Sequence, residues 1–236
     1  MVGIIGAMEQ EINLLCEAMG KFETKKVQMF DFFTGKIEGK DVTVLRCDVG
    51  KVNAAVGCAL LIQLFKPSCV FNTGSAGGIN PSLKVGDAII SAGLIYHDVD
   101  VTAFNYAPGQ VPRQPVVFPV DERYVKLAEE SINELKKEKA LPENFNHCRG
   151  IIGSGDTFMH EPERIANVRK IFPNIDAVEM EGAAIAHCCN IFSIPVLVIR
   201  AVSDVAGTES PVSFYDFLPV ASKHSAQIVI RILKKI

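Results

Sequence analysis

The chain has 236 residues, 48% of them hydrophobic, and a formal net charge of -3. That is enough apolar material for one substantial core and calls for no second division, so residues 1–236 are read as one domain. The weak negative charge gives no basic footprint for nucleic acid, and no apolar run is long enough to span a membrane. The seven cysteines, Cys16, Cys47, Cys58, Cys69, Cys148, Cys188 and Cys189, lie mostly in apolar stretches and form no C-x-x-C, which reads as reduced buried thiols of a cytoplasmic protein.

In chain order, Val2 to Gly6 reads as a strand with no basic segment before it, so no signal peptide is expected. Glu9 to Met19 places Ile12, Leu15 and Met19 at helical spacing. Strands are expected at Met29 to Lys36 and Asp41 to Cys47, followed by a buried Ala/Leu-rich helix at Val52 to Phe65. The strand Ser68 to Asn72 runs into NTGSAGG, read as a glycine-rich loop, and Asp87 to Ala92 is the next strand. Tyr96 to Pro112 is loop-like with exposed-looking apolar and aromatic residues, either an interface or an Ω-like loop packed on its own monomer. Asp121 to Lys139 carries Val125, Leu127, Ala128, Ile132 and Leu135 amid charges, the pattern of an exposed amphipathic helix. Strands at Arg149 to Gly153 and Val196 to Val202 and a terminal helix at Ser213 to Leu233, with Pro219 a candidate kink or break, complete the reading. Short apolar runs alternating with amphipathic stretches predict an α/β fold: a three-layer sandwich with a central mixed, mostly parallel sheet flanked by helices.

Three segments carry chemistry. In VIRAVSDVAG, Val198 to Gly207, an apolar run ends in Arg200, Ser203 and Asp204, and open α/β sheets bind ligands at the carboxyl ends of their strands. Asp204 is the first catalytic candidate, with a helix cap or turn as the alternative. In NTGSAGG, Gly74, Gly77 and Gly78 surround Ser75 and let backbone N–H groups approach a ligand; the spacing matches neither the dinucleotide fingerprint nor the P-loop, and a tight turn is the plain alternative. In AVEMEGAA, Glu179 and Glu181 bracket Met180 before an Ala-rich helical stretch, where acidic residues commonly act as caps or dipole partners. His97 and Asp98 are adjacent, but His147, His160, His187 and His224 share no ligand spacing with them, and no flavin, nicotinamide or pyridoxal signature occurs; neither metal nor cofactor is expected.

With GAMEQE at Gly6 to Glu11, YHDVDVTAF and SGDTF, these segments run in order through nearly the whole chain, which resembles the nucleoside phosphorylase and nucleosidase superfamily, specifically the bacterial 5'-methylthioadenosine/S-adenosylhomocysteine nucleosidases. The resemblance implies hydrolysis of a purine N-ribosidic bond in small adenine nucleosides, in methionine salvage. Asp204 would donate a proton to purine N7, which needs a carboxyl group of raised pKa, and Ser203 would orient it. Glu11 would hold and deprotonate the attacking water; its alternative is an ordinary first-turn glutamate. Glu181 would accept the ribose hydroxyls and favour positive charge on the sugar, and Met180 would pack on the nucleoside. Arg200 would lie near the ribose or the water, or serve a structural ion pair. Ser75 would belong to the substrate-binding glycine segment, and Phe158 and Met159 would read adenine through backbone groups.

A homodimer is implied, in which Val101, Phe104, Tyr106 and Pro112 contact the partner or reach its pocket. Phe214 would line the channel for the 5'-substituent together with the partner's Phe104 and the partner's Pro112. Three other readings compete: a purine nucleoside phosphorylase, a 6-amino-6-deoxyfutalosine hydrolase, and a non-catalytic nucleoside-binding module. Glu11 disfavours the first because a carboxylate repels phosphate and can activate water; a binding module would not need Glu11, Glu181 and Asp204 together.

Overall fold

The architecture follows from one long strand that changes neighbours partway along a single sheet. In the computed structural model, which describes residues 1–205 and 210–236, β1 (Val2–Gly6) lies between β4 (Lys40–Arg46) and β5 (Cys69–Gly78), parallel to both. Beyond β4, β3 (Phe30–Ile37) and β2 (Phe22–Val27) continue antiparallel to the edge. On its other side β5 runs parallel to β9 (Val196–Val205) from Val70 to Gly78. Because β9 occupies one edge of β5 throughout, β1 and β8 (Ile175–Glu179) share the other: Cys69 to Asn72 pair with β1, and only Gly77 and Gly78 pair with β8. From β8 the sheet proceeds through β7 (His147–Ser154) and β6 (Ala88–Tyr96) and returns to β9. Five strands thereby close into a barrel, and the three-layer sandwich expected from sequence is corrected to a mixed sheet that is open at one end and closed at the other.

Helices cover both faces. Residues alternate along β1 so that Ile5 joins a core with Leu61 of α2 (Lys51–Phe65) and Ile185 of α5 (Gly182–Phe192). Ile4 joins another with Leu15 of α1 (Glu9–Met19), Ile132 of α3 (Glu122–Lys137) and Ile228 of α6 (Ser210–Leu233). A strand sandwiched in this way can be apolar on both faces, which is why β1 reads as a continuous hydrophobic run. A smaller cluster places Ile165 of α4 (Pro162–Ile171) against β8. Among the described residues no helix is long and apolar enough to cross a membrane.

Differences from the sequence reading have local causes. NTGSAGG is the second half of β5 rather than a loop, its hydrogen bonds supplied by β9 and β8. The edge strand β2, FETKKV, has almost no buried residue and hence no apolar signal; charges on an edge also discourage pairing with other chains. α4 buries only Ile165 and Val168. α6 runs as one helix through Pro219, without division there.

Ile199 is fully buried where β9 meets Thr73 of β5 on one side and Ile90 of β6 on the other. Ile199→Ala is expected to cost about 2–5 kcal/mol in urea unfolding, the range for deleting a core aliphatic side chain. A loss under about 1 kcal/mol would show that barrel closure does not depend on this contact.

Candidate active site

The fork at which β5 exchanges β1 for β8 opens into a cavity of about 230 Å³. A point where strand neighbours change is where an α/β sheet leaves a crevice at its strand ends. The β1–α1 turn contributes Ala7, Met8 and Glu11, β5 contributes Ser75 to Gly77, and the end of β8 contributes Val178 to Glu181. β9 brings Arg200, Ser203 and Asp204, the segment after β7 brings Thr157, Phe158 and Met159, and α6 brings Phe214 and Tyr215. All ten residues expected to act in catalysis or substrate binding line this one space: Glu11, Ser75, Phe158, Met159, Met180, Glu181, Arg200, Ser203, Asp204 and Phe214. Val101, Phe104, Tyr106 and Pro112 do not line it. Ala206 and Gly207, the end of the VIRAVSDVAG segment, lie outside the described residues.

Arg200 organises the floor. It is only 1% exposed, and its Nη2 donates to Asn72 Oδ1 at 2.8 Å, to Glu181 Oε2 at 3.3 Å and to Glu179 Oε2. Nη1 donates to the Ser75 carbonyl at 3.2 Å and stands 3.9 Å from Glu11 Oε1. Burial by itself disfavours the guanidinium charge, but Glu179, Glu181 and Glu11 outweigh it and raise the pKa above the ordinary arginine value. Asn72 is itself fixed, donating to the Ile5 carbonyl at 2.8 Å.

The three glutamates divide their work. Glu179 caps α5, accepting the N–H groups of Glu181 at 2.9 Å and Gly182 at 2.7 Å as well as the Ser154 hydroxyl. Glu181, although it is the cap residue of α5, makes no capping bond and accepts instead from the Gly50 N–H at 2.9 Å. Its pKa is raised to about 8, chiefly by burial and further by Glu179 and Glu11, against the lowering effect of Arg200 and the Gly50 N–H. Glu11 is both cap and cavity residue: Oε2 accepts the N–H groups of Ala7 at 2.8 Å and Met8 at 3.2 Å, while Oε1 accepts the Ser75 N–H at 2.9 Å and hydroxyl at 3.1 Å. Gly74 is required by this approach, since a Cβ there would fall 2.5 Å from both Glu11 Oε1 and Arg200 Nη1.

At the other end of the cavity Asp204 is buried and its Oδ1 accepts the Ser203 hydroxyl at 2.8 Å. Phe158 meets Phe214 edge-on with ring centroids 5.6 Å apart, forming an aromatic wall. Sequence reasoning assigned no site role to Asn72, Thr157 or Gly50 and read Glu179 only as a possible cap. The polar ends of AVEMEGAA and NTGSAGG held that signal, but the partners come together only in three dimensions. Among the described residues no group of three or more His, Cys, Asp or Glu side chains is arranged to hold a metal ion.

The family model for the phosphorylase superfamily matches residues 1–234. The chain is 46% identical over 234 residues to the 5'-methylthioadenosine/S-adenosylhomocysteine nucleosidase of Bacillus pumilus, covering 99% of this chain and 98% of that protein. The chain belongs to this nucleosidase family. The nucleosidase of Neisseria meningitidis in complex with methylthio-immucillin-A superposes with a TM-score of 0.95 at 43% identity, covering 100% of this chain and 99% of that one. The Colwellia psychrerythraea nucleosidase in complex with adenine gives 0.94 at 43% identity, covering 98% and 93%. A futalosine hydrolase of Helicobacter pylori shares the fold at 31% identity and a TM-score of 0.91, covering 100% and 97%.

The buried charges set a stability signature. Glu181 has a folded pKa above its ordinary 4.5, so its contribution is fully favourable below that value and is lost as pH climbs towards about 8. Removing Arg200 leaves three carboxylates without their counter-charge. Arg200→Met is expected to destabilise by about 3–5 kcal/mol in urea unfolding, the cost of removing one partner of a buried ion network. A loss under about 1 kcal/mol would contradict the ion network.

Proposed function

We propose that this chain hydrolyses the N-ribosidic bond of 5'-methylthioadenosine and S-adenosylhomocysteine, and of 5'-deoxyadenosine, to adenine and the 5'-substituted ribose, as a methionine-salvage enzyme. The observation that carries this reading is the charge of the cavity: among the described residues that line it, four carboxyl side chains, Glu11, Glu179, Glu181 and Asp204, accompany one basic side chain, Arg200. Breaking the bond leaves positive charge on the sugar, and an excess of carboxylate in a water-poor site stabilises that charge more than it stabilises the neutral nucleoside. A phosphate nucleophile needs cations, and the one available is already bound to carboxylates. Water needs a base, and Glu11 supplies it.

Asp204 would protonate N7 of the departing purine, with Ser203 holding the carboxyl group. Glu11 would position and deprotonate the water, and Glu181 would accept the ribose hydroxyls. Met180 would pack on the nucleoside, Phe158 and Met159 would bound the adenine, and Phe214 would meet the 5'-substituent. The analogy with sugar hydrolysis is close, since one carboxyl group protonates the leaving group and another activates water. Adenine release should proceed without phosphate and yield free thioribose; a ribose 1-phosphate product would identify a phosphorylase. Asp204→Asn and Glu11→Gln are each expected to lower kcat by about 10²–10⁴ with nucleoside binding retained, while Glu181→Gln should also raise KM. Near-normal turnover in either of the first two variants would remove that residue from the mechanism. Aminodeoxyfutalosine belongs in the same assay, because a futalosine hydrolase is among the structural relatives.

We further propose a cytoplasmic homodimer. Phe104 is 73% exposed and Val52 72%, and Val56, Val116, Val117 and Ile191 are exposed apolar side chains as well. A partner covering these residues would remove apolar surface from water. It would also bring Val101, Phe104, Tyr106 and Pro112 to the mouth of the neighbouring cavity, beside Phe214. Sedimentation should give a dimer at assay concentration; a fully active monomer would overturn the shared pocket.

A further inference from the structure

Helix α2 begins without a side-chain cap of its own, because its cap residue is Gly50. The missing acceptor comes from a distant part of the chain: the Lys51 N–H donates to Asp156 Oδ1 at 2.8 Å. Asp156 is held in turn, its own N–H donating to Asp98 Oδ2 at 2.9 Å. Lys51 Nζ closes the arrangement at 2.6 Å from Asp98 Oδ2 and 3.7 Å from Asp156 Oδ2. Immediately before Lys51, the Gly50 N–H is the donor to Glu181, and immediately after Asp156 come Thr157, Phe158 and Met159 of the cavity wall. Gly50 has a φ of 106°, a conformation that side-chain-bearing residues adopt only with strain, so a glycine at this position lets the N–H point at Glu181. The ion pairs themselves are partly exposed, with the Asp156 side chain 49% accessible, and salt and water screen them. Their contribution is geometric.

We propose that Asp156 is a positioning residue for the reaction: by capping α2 it keeps the Gly50 N–H on Glu181, and through Lys51 and Asp98 it fixes the ribose-binding carboxylate relative to the base-binding segment. This rests on the reading of Glu181 as the ribose ligand. The charged and titratable groups facing Glu181 are Glu11 of α1, Cys47 after β4, Glu179 of β8 and Arg200 of β9, together with the Gly50 N–H. Of these only the Gly50 N–H depends on Asp156. Loosening it removes a donor to the ionised carboxylate and leaves the charges in place, so Glu181 should ionise at higher pH.

The test is steady-state cleavage of 5'-methylthioadenosine across pH 6 to 10 by the full chain, with Asp156→Ala, Asp156→Asn, Glu181→Gln and the Asp156→Ala/Glu181→Gln double variant. Asp156→Ala is expected to raise KM about tenfold with kcat within about threefold, and to move the ascending limb of kcat/KM to higher pH. Asp156→Asn keeps an acceptor for the Lys51 N–H and should restore most of the affinity. If Asp156 acts through Glu181, the double variant loses no more affinity than Glu181→Gln alone. Additive losses, or an Asp156→Ala enzyme with unchanged KM and limb beside a Glu181→Gln enzyme that has lost affinity, overturn the positioning role while leaving the ribose reading intact. A Glu181→Gln enzyme of normal KM overturns the ribose reading and this proposal with it. Should Asp156→Ala melt below the assay temperature, Asp98→Ala carries the test: it removes the acceptor of the Asp156 N–H and of Lys51 Nζ, so it should raise KM and shift the limb in the same direction while Asp156→Asn stays near wild type, and an unmoved limb in Asp98→Ala overturns the proposal.

Discussion

The arrangement of the site depends on burying one guanidinium among three carboxylates. Arg200 is fixed on β9, Glu179 and Glu181 at the end of β8, and Glu11 on the first turn of α1, so a single side chain ties three elements together around the cavity. Taking these groups out of water is expensive, and the cost is offset only if nearly every polar atom finds a partner. The glutamates do so through backbone N–H groups at helix starts and through Ser75 and Ser154. Buried ion networks are poor contributors to net stability, and this one fits a functional role: carboxyl groups outnumber the cation among the described residues before any substrate arrives. A charge that appears on the sugar during bond breaking meets a field that is already in place.

The backbone makes this possible at β5. An ordinary strand keeps one neighbour on each edge, whereas β5 exchanges β1 for β8 partway along while holding β9 throughout. The exchange spans the residues of NTGSAGG, whose small side chains let Glu11 and Arg200 approach the strand directly at Gly74. The same segment therefore explains the closed sheet, the position of the cavity and the closeness of its charges. Gly74 there admits the Glu11 and Arg200 side chains.

Much of the site was legible in the sequence because strand ends carry it. Asp204, Ser203 and Arg200 stood out as polar residues closing an apolar run, and Glu181 as an acidic residue beside an Ala-rich helix. That Glu179 and not Glu181 caps the helix was not legible, since both precede the same helix and only the backbone decides which one caps it. For Glu11 the first-turn position is only part of the arrangement, because one carboxylate oxygen serves the helix start and the other accepts from Ser75. The barrel closure was hidden as well. It rests on pairings between segments far apart in sequence, such as β5 with β9 and β6 with β9, which leave no periodicity behind. Edge strand β2 and helix α4 escaped because they bury too little to imprint an apolar pattern.

The central claim, that an excess of buried carboxylate selects for a cationic sugar, is tested most directly by binding two matched adenosine analogues. In one the ribose ring oxygen is replaced by a protonated nitrogen; the other is its neutral counterpart of the same shape. Calorimetry with the wild-type chain should show the cationic analogue binding at least about a hundredfold more tightly, with much of that preference lost in Glu181→Gln. Equal affinity for the two analogues in the wild-type chain would contradict the account.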